Sequence, residues 1–444
     1  ITEKCGAPTL QAQWKAKDWT LTYNANGGKV TPTSKVVTID TAYGTLPIPT
    51  KEGCIFVGWY TATNGGNVVS STTKMTTEDA TIYAHWQETW AIKTKVTSLV
   101  VENDKLEKGT EANPYLIRNS DDLAFLAKIM QNKTDVNKYH YKYYKQTEVI
   151  DLNRDKDGNN VDYAWLPIGV SASNAFVGNY DGQGFAIMNL KTSNIQNAST
   201  KLLNDYQGLF GYTNGKLKNI NLISGKVYGN NYTGGIVGYM SGGEILNCRS
   251  GVDVVGKEYC GLIGMANCVK ITSCFNYGTI QGTFNVGGVV GFAQSNSTSS
   301  LTRIENCYSK CDISANDKVG GIAGNVSSYT NISACGFNGN VTASTNKASL
   351  VGQSATNVNI TNCFAIITGT SDLNWKNGSA TVLNSISRLS NDTYKKYIGE
   401  DFSSWSVLDK TKGQPLPAGF SWLGIGGEKL TIGGIENLGY RPNT

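Results

Sequence analysis

From residue 208 onward the chain repeats one pattern of apolar and polar positions. Short apolar runs bounded by small residues recur as Gly208-Leu-Phe-Gly211, Gly235-Ile-Val-Gly238, Gly261-Leu-Ile-Gly264, Gly288-Val-Val-Gly291, Gly321-Ile-Ala-Gly324 and Ser349-Leu-Val-Gly352. Their closing glycines are spaced by 27, 26, 27, 33 and 28 residues. A second column follows each run: Ile220, Ile245, Ile271, Ile304, Ile332 and Ile360. Three residues beyond the last five stand Cys248, Cys274, Cys307, Cys335 and Cys363, and nine residues beyond four of them stand Val254, Ile280, Ile313 and Val341. The apolar stretches are three to five residues long and β-branched, and none holds a helical period over three turns. Fixed columns at this period predict a solenoid whose coils bury their apolar residues against neighbouring coils. With strands about 4.8 Å apart along the axis, the fold class is all-β, a right-handed parallel β-helix. Asn247, Asn306 and Asn362 lie between the isoleucine and cysteine columns, where left-handed backbone would turn both side chains inward around a corner.

Residues 109–207 are expected to form the N-terminal cap and first coils, 208–369 the repeat body and 370–444 a C-terminal cap. Ser120 to Gln131 reads as a short amphipathic helix with Ser/Asp capping, followed by Leu123, Leu126, Ala127 and Met130 on one face. Such a helix would close an open hydrophobic end of the solenoid. Tyr139 to Lys145 reads as a solvated strand. At the other end, Thr81-Ile-Tyr-Ala-His-Trp-Gln87 repeats Thr9-Leu-Gln-Ala-Gln-Trp-Lys15 at an offset of 72 residues. Residues 1–16 are therefore expected to be the tail of a preceding repeat and 17–87 one complete β-rich copy. Residues 88–108 read as the linker to the solenoid.

Composition narrows the picture. Gly accounts for 50 and Asn for 44 of 444 residues, about one in five together, which excludes a coiled coil or an ordinary helical enzyme. Hydrophobic residues at 40% and aromatics at 10% argue against disorder. A net charge of +5 gives no case for nucleic acid, and no apolar run is long enough to span a membrane. Ile1 to Leu10 show no basic region followed by an apolar stretch, so no signal peptide is expected in these residues.

Candidate chemistry is sparse. The five column cysteines are expected to be unpaired core thiols, because stacked parallel side chains fit a disulfide poorly. Cys260 and Cys268, off the column and close in sequence, leave one bridge open, Cys311 replaces a turn glycine, and the states of Cys5 and Cys54 stay open. With His85 and His140 the only histidines and no CxxC, neither a zinc site nor a Ser–His or Cys–His pair is expected. A β-helix glycosidase would need two carboxylates about 5 to 9.5 Å apart. Residues 208–369 hold six acids, Glu244, Asp253, Glu258, Glu305, Asp312 and Asp317. Of these, Asp253 and Asp312 share a column two coils apart, about 10 Å at the usual strand spacing. No catalytic residue and no cofactor are expected. Asn153, Asp155 and Asp157, before Gly158, resemble half of a calcium loop, but Ala164 stands where its bidentate Glu belongs, so a polar turn is the preferred reading. Tyr232, Tyr259, Phe284 and Tyr329 are noted as surface aromatics able to stack on sugars, without a site being assigned to them.

Two families are resembled. Tyr23-Asn-Ala-Asn-Gly-Gly28, Gly44-Thr-Leu-Pro47, Phe56-Val-Gly-Trp-Tyr60 and Tyr83-Ala-His-Trp86 resemble the internalin-type B repeat, or Listeria–Bacteroides repeat, with Cys54 where that pattern usually has an aromatic residue. That resemblance implies a β-grasp-like bead of bacterial surface proteins. Residues 208–369 resemble the GLUG repeat, nearly intact at Gly208-Leu-Phe-Gly211. The segments Pro114-Tyr-Leu-Ile117, Asp122-Leu-Ala124, Trp165-Leu-Pro-Ile-Gly169 and Phe176-Val-Gly-Asn-Tyr-Asp-Gly182 match what commonly precedes such repeats. This resemblance implies an exported bacterial surface protein, a class that includes adhesins and some peptidases whose machinery lies in a separate domain; no HExxH occurs here. The expected function is non-catalytic adhesion or ligand binding at the extracellular bacterial surface. The expected partner is a host or neighbouring-cell protein or glycan, met by a monomeric piece of a longer chain. The alternatives are a carbohydrate-active β-helix enzyme (polysaccharide lyase or glycosidase) and a passive spacer.

Overall fold

A computed structural model describes residues 15–366, apart from 77, 132–135 and 194–203, together with the strand segments 378–383, 405–407, 415–417, 430–432 and 435–437. Contacts divide the chain after Gln87 into two units.

The first unit is a five-stranded mixed sheet. Asp18–Asn24 runs parallel to Ala80–Glu88 at its centre, Ser34–Thr38 flanks the former, and Cys54–Tyr60 with Val68–Val69 extends the other side. Alternation along Asp18–Asn24 sends Leu21 and Tyr23 inward, where they meet Trp59, Ile82 and Ala84. Trp59 donates its indole N–H to Pro47 O at 2.9 Å, so the large ring is buried without an orphaned donor. Phe56 packs edge-on against both Trp59 and Trp86. Cys54, a half-buried thiol, opens this strand. The left-handed Asn26 and Gly27 make the turn that the Asn-Ala-Asn-Gly-Gly run predicts, and Asn24 Oδ1 accepts from Asn26 N.

The second unit is a parallel β-helix, with one continuous hydrophobic core from Trp90 to Ala365. Each coil contributes strands to three parallel sheets, for example Glu244–Leu246 and Arg249–Ser250 in one, Asp253–Val255 in the next and Glu258–Asn267 in the third. Register repeats from coil to coil: Ile245 pairs with Ile271, Ile271 with Ile304, Ile304 with Ile332, and Ile332 with Ile360. The corner between the isoleucine and cysteine columns is left-handed, as expected for Asn247 (φ 55°) and Asn306 (φ 53°). The same conformation also occurs at Asn219, Ser273 and Ala334. Asn362 lies in the strand Asn359–Ile366, and its side chain is outside the described residues. Gly378–Leu383 adds a further parallel rung to that strand. Apart from such strand segments, the expected C-terminal cap falls outside the described residues, as do residues 1–14 of the preceding repeat.

The helix Ser120–Gln131 forms where expected and is buried on nearly every side. Its cap is Asn119 rather than Ser120: Asn119 Oδ1 accepts from Asp122 N at 2.9 Å. Asp122, wholly buried, accepts both the Nε and Nη2 of Arg118. Burial on the helix's outer side comes from the segment expected as a linker. Trp90 is 1% exposed and donates to Leu152 O, while Leu99 and Val101 join the core. Residues 88–108 are thus an outer layer of the cap. Tyr139 to Lys145 also differs from a solvated strand, since Tyr144 and Tyr139 are buried and joined by a hydroxyl-to-carbonyl bond of 2.5 Å.

The 33-residue spacing has a local origin. After the strand Val290–Gln294 the chain makes an exposed excursion through residues 296–300 and returns at Thr302, whose N–H donates to Ser295 Oγ and whose hydroxyl donates to Gln294 O. Register resumes at once with Lys270 paired to Arg303.

Candidate binding face

The isoleucine and cysteine columns lie inside. Ile245, Ile271, Ile304, Ile332 and Ile360, with Cys248, Cys274, Cys307, Cys335 and Cys363, are at most 1% exposed. Each column thiol points at the carbonyl two residues back, at 3.2 to 3.4 Å, a carbonyl that also accepts the backbone N–H of the preceding coil's corner residue, as Leu246 O does from Asn219. A thiol suits that position because it fills a small apolar volume while donating only weakly. Burial pushes Cys274, Cys307 and Cys335 well above the ordinary thiol range. Cys260 and Cys311, also fully buried, are pushed up to about 12 for the same reason. Cys260 and Cys268 are both free thiols, so the bridge left open between them does not form: Cys260 points into the core and Cys268 sits half-exposed at a left-handed turn. Cys311 does stand in a glycine column, level with Gly278 and Gly339, and faces the core.

The carboxylates of the repeat body serve its turns. Asp253 accepts from Thr279 N and Oγ1, Asp312 from Asn340 N and Nδ2, Asp317 from Thr345 Oγ1 and Asn346 Nδ2, and Glu244 pairs with Lys270 at 3.0 Å. Thr279 stands between Asp253 and Asp312 in the same column, which places the two acids two coils apart. At Asn153, Asp155 and Asp157 the structure forms a polar turn. Asp155 Oδ1 accepts from the backbone N–H of Asp157 and of Asn159, and Asp157 pairs with Lys156. The Asn159 side-chain amide, which donates to both Asp155 oxygens, and then these backbone bonds hold Asp155 below the usual carboxylate range. His85 stacks on Tyr60 in the first unit, and burial lowers the pKa of His140 near the cap. Among the described residues no three His, Cys, Asp or Glu side chains are grouped to hold a metal.

What the coils do build is an aromatic face. One column holds Tyr206, Tyr232 and Tyr259, each left-handed with φ of 56° or 57°, and continues as Asn285 and Lys318. A second column, set by the register of the third sheet, holds Tyr212, Tyr239, Met265 and Phe292. Tyr232 stacks on Tyr206 and on Tyr259 at 5.0 Å, within 7° of parallel, and Tyr212 stacks on Tyr239 at 4.8 Å. Edge-to-face contacts, Tyr206 with Tyr212 and Tyr232 with Tyr239, fuse the columns into one patch. The closing glycines Gly211, Gly238 and Gly264 make this possible. A Cβ at Gly238 would lie 2.6 Å from Tyr232 O and 2.8 Å from Gly211 O, so only glycine lets the chain pass beneath the left-handed tyrosine. All six rings are half-exposed. Because their faces stack on each other along the axis, they offer partners their edges and hydroxyls. Burial, followed by the neighbouring phenols, pushes Tyr232 up to about 12, and burial raises Tyr206, Tyr239 and Tyr259 as well. Beside the patch, the buried amide oxygens of Asn231 and Asn285 have no hydrogen-bond partner within the chain.

Of the four surface aromatics singled out in the sequence, Tyr232 and Tyr259 belong to this patch. Phe284 and Tyr329, each 38% exposed, are not part of it. The patch had a legible signal: tyrosines at 206, 232 and 259, and at 212 and 239, recur at the coil period.

Comparison with known proteins places these parts. The Listeria-Bacteroides repeat domain matches residues 19–85. Halomucin of Haloquadratum walsbyi is 26% identical over 210 residues, 47% of this chain and 2% of that protein. A "putative membrane protein" of Evansella cellulosilytica is 26% identical over 178 residues, 36% of this chain and 26% of that one. The chain therefore corresponds to a small part of either relative. A crystal structure described as a "putative immunoglobulin A1 protease" from Bacteroides ovatus superposes with a TM-score of 0.51 at 19% identity, over 70% of this chain and 94% of that one. At that identity the likeness is one of fold.

Proposed function

We propose that this chain belongs to a bacterial cell-surface protein and that its GLUG-type β-helix is a non-catalytic adhesive scaffold, binding a protein or glycan through the aromatic face. The observation that carries the reading is the fused double column of half-exposed rings at Tyr206, Tyr212, Tyr232, Tyr239, Tyr259 and Phe292. Tyrosine edges and hydroxyls supply large contact area and hydrogen bonding at low entropic cost, the chemistry that recurs in recognition surfaces. A Listeria–Bacteroides repeat at residues 19–85, relatives named halomucin and a membrane protein, and the lack of any long apolar helix among the described residues fit a surface setting. The non-catalytic reading is supported by four of the six repeat-body acids being tied to neighbouring turns.

The test is binding of the purified chain to matrix proteins and a glycan panel, beside the triple variant Tyr206→Ala, Tyr232→Ala, Tyr259→Ala. Saturable binding weakened at least tenfold in the variant, about 1.4 kcal/mol, is the expected result. Equal binding by both proteins would remove the aromatic face from the proposal, and cleavage of a glycan in the same wells would replace scaffold by enzyme.

A further inference from the structure

On a different sheet, the side chain of Arg249 is buried as a charge without a counter-charge. It is 5% exposed, its Nε donates to Asn221 Oδ1 at 2.6 Å, and its Nη2 is buried with no hydrogen-bond partner. Asn221 is itself held by its amide bond to Gly184 O, so it fixes the guanidinium and adds no charge. Among the described residues, the ionisable group that acts on Arg249 is Tyr277. Tyr277 folds back across the preceding coil: a Cβ at Gly251 would lie 2.2 Å from its ring, and its hydroxyl reaches Ile223 O at 3.5 Å, two coils away. Tyr277 as a whole remains 37% exposed. Next in Tyr277's column comes Lys310, a second half-buried cation. The nearest acid along the chain, Asp253, is held by Thr279.

A guanidinium stays charged in a protein interior, and a buried charge lacking a partner is costly. A planar fork with a free N–H edge matches an oxyanion of carboxylate or sulfate geometry. We propose that Arg249 is an oxyanion site, receiving one carboxylate or sulfate group beneath the ring of Tyr277. The group comes either from a free inorganic ion or from an acidic sugar of a glycan. This site is independent of the aromatic face and stands whether or not that face binds anything.

The test is thermal melting of the full chain as sodium sulfate or sodium glucuronate replaces sodium chloride at constant ionic strength. A site that binds only the folded chain leaves the melting temperature unmoved below its dissociation constant and raises it by about 2 °C for each tenfold of oxyanion above it. Arg249→Met should lose this logarithmic rise while melting no lower than wild type in chloride alone. Tyr277→Ala, which uncovers the guanidinium, should reach half-saturation at a lower concentration and serves if Arg249→Met does not fold. A glucuronate-bearing oligosaccharide that half-saturates below inorganic sulfate identifies the glycan as the source, and the reverse order identifies the free ion. The proposal is overturned if wild type shows no such rise, or if Arg249→Met responds as wild type does.

Discussion

At the residue scale, the corner between the isoleucine and cysteine columns shows how position overrides residue type. Asparagine tolerates left-handed backbone, which is why Asn247 and Asn306 announced a corner in advance. Ser273 and Ala334 adopt the same φ without that chemistry, so their corners were invisible until the register of neighbouring coils imposed them. Left-handed alanine carries a steric cost of about 1 kcal/mol that asparagine or glycine lowers. Ala334→Asn is therefore expected to raise the unfolding midpoint in denaturant, and an unchanged midpoint would show that the corner is unstrained. Asn247→Ala should do the opposite by a similar amount, since it also removes the 2.8 Å amide bond to Asn219. The thiols make a second case. Burial keeps the column cysteines, Cys260 and Cys311 away from dissolved reagent, so iodoacetamide at pH 8 should label Cys268 and spare these seven. Labelling of Cys274 or Cys307 in folded protein, read by mass spectrometry, would contradict the packed ladder.

At the scale of elements, the repeat motif and the aromatic columns prove to be one device. The closing glycine was legible as a recurring mark, but its reason was not, because at Gly211, Gly238 and Gly264 that reason is the carbonyl of a tyrosine five or six residues earlier. Gly238→Ala should destabilise the chain by about 1–3 kcal/mol through overpacking, measurable by urea unfolding. Wild-type stability in that variant would mean the strand moves aside freely. The columns also give the fold an alkaline limit. Tyr232 is pushed up to about 12, against about 10 for an unfolded tyrosine, so the folded state holds a proton that the unfolded state releases. That stability is intact below pH 10 and is lost as pH rises toward 12. Tyr232→Phe should flatten this loss in melting curves between pH 9 and 12, and the fall should persist unchanged if other groups cause it.

At the scale of the whole molecule, the solenoid was readable because its columns repeat, whereas the cap was not. Trp90, Leu99 and Val101 sit in two three-residue apolar runs within a polar stretch, and no period marks them as core. The helix they cover was legible from its own pattern, but the layer over it was not. Because each coil packs on its neighbours alone, stability should be nearly additive along the axis. Deleting residues 239–264, one full coil from closing glycine to closing glycine, should leave a folded, shorter β-helix with native-like circular dichroism. Deleting half that length should not. If both deletions unfold alike, the coils are not interchangeable units.

The excursion at 296–300 carries a consequence for how such a chain changes over time. Six residues more than a neighbouring coil have been taken in there, and the ladder on either side has not registered them. Lengthening an exposed loop costs only about 0.6 kcal/mol per doubling. The Ser295–Thr302 clasp therefore acts as a docking port for foreign sequence. A peptide epitope grafted between its two ends would be displayed on a stiff rod without rewriting a single rung.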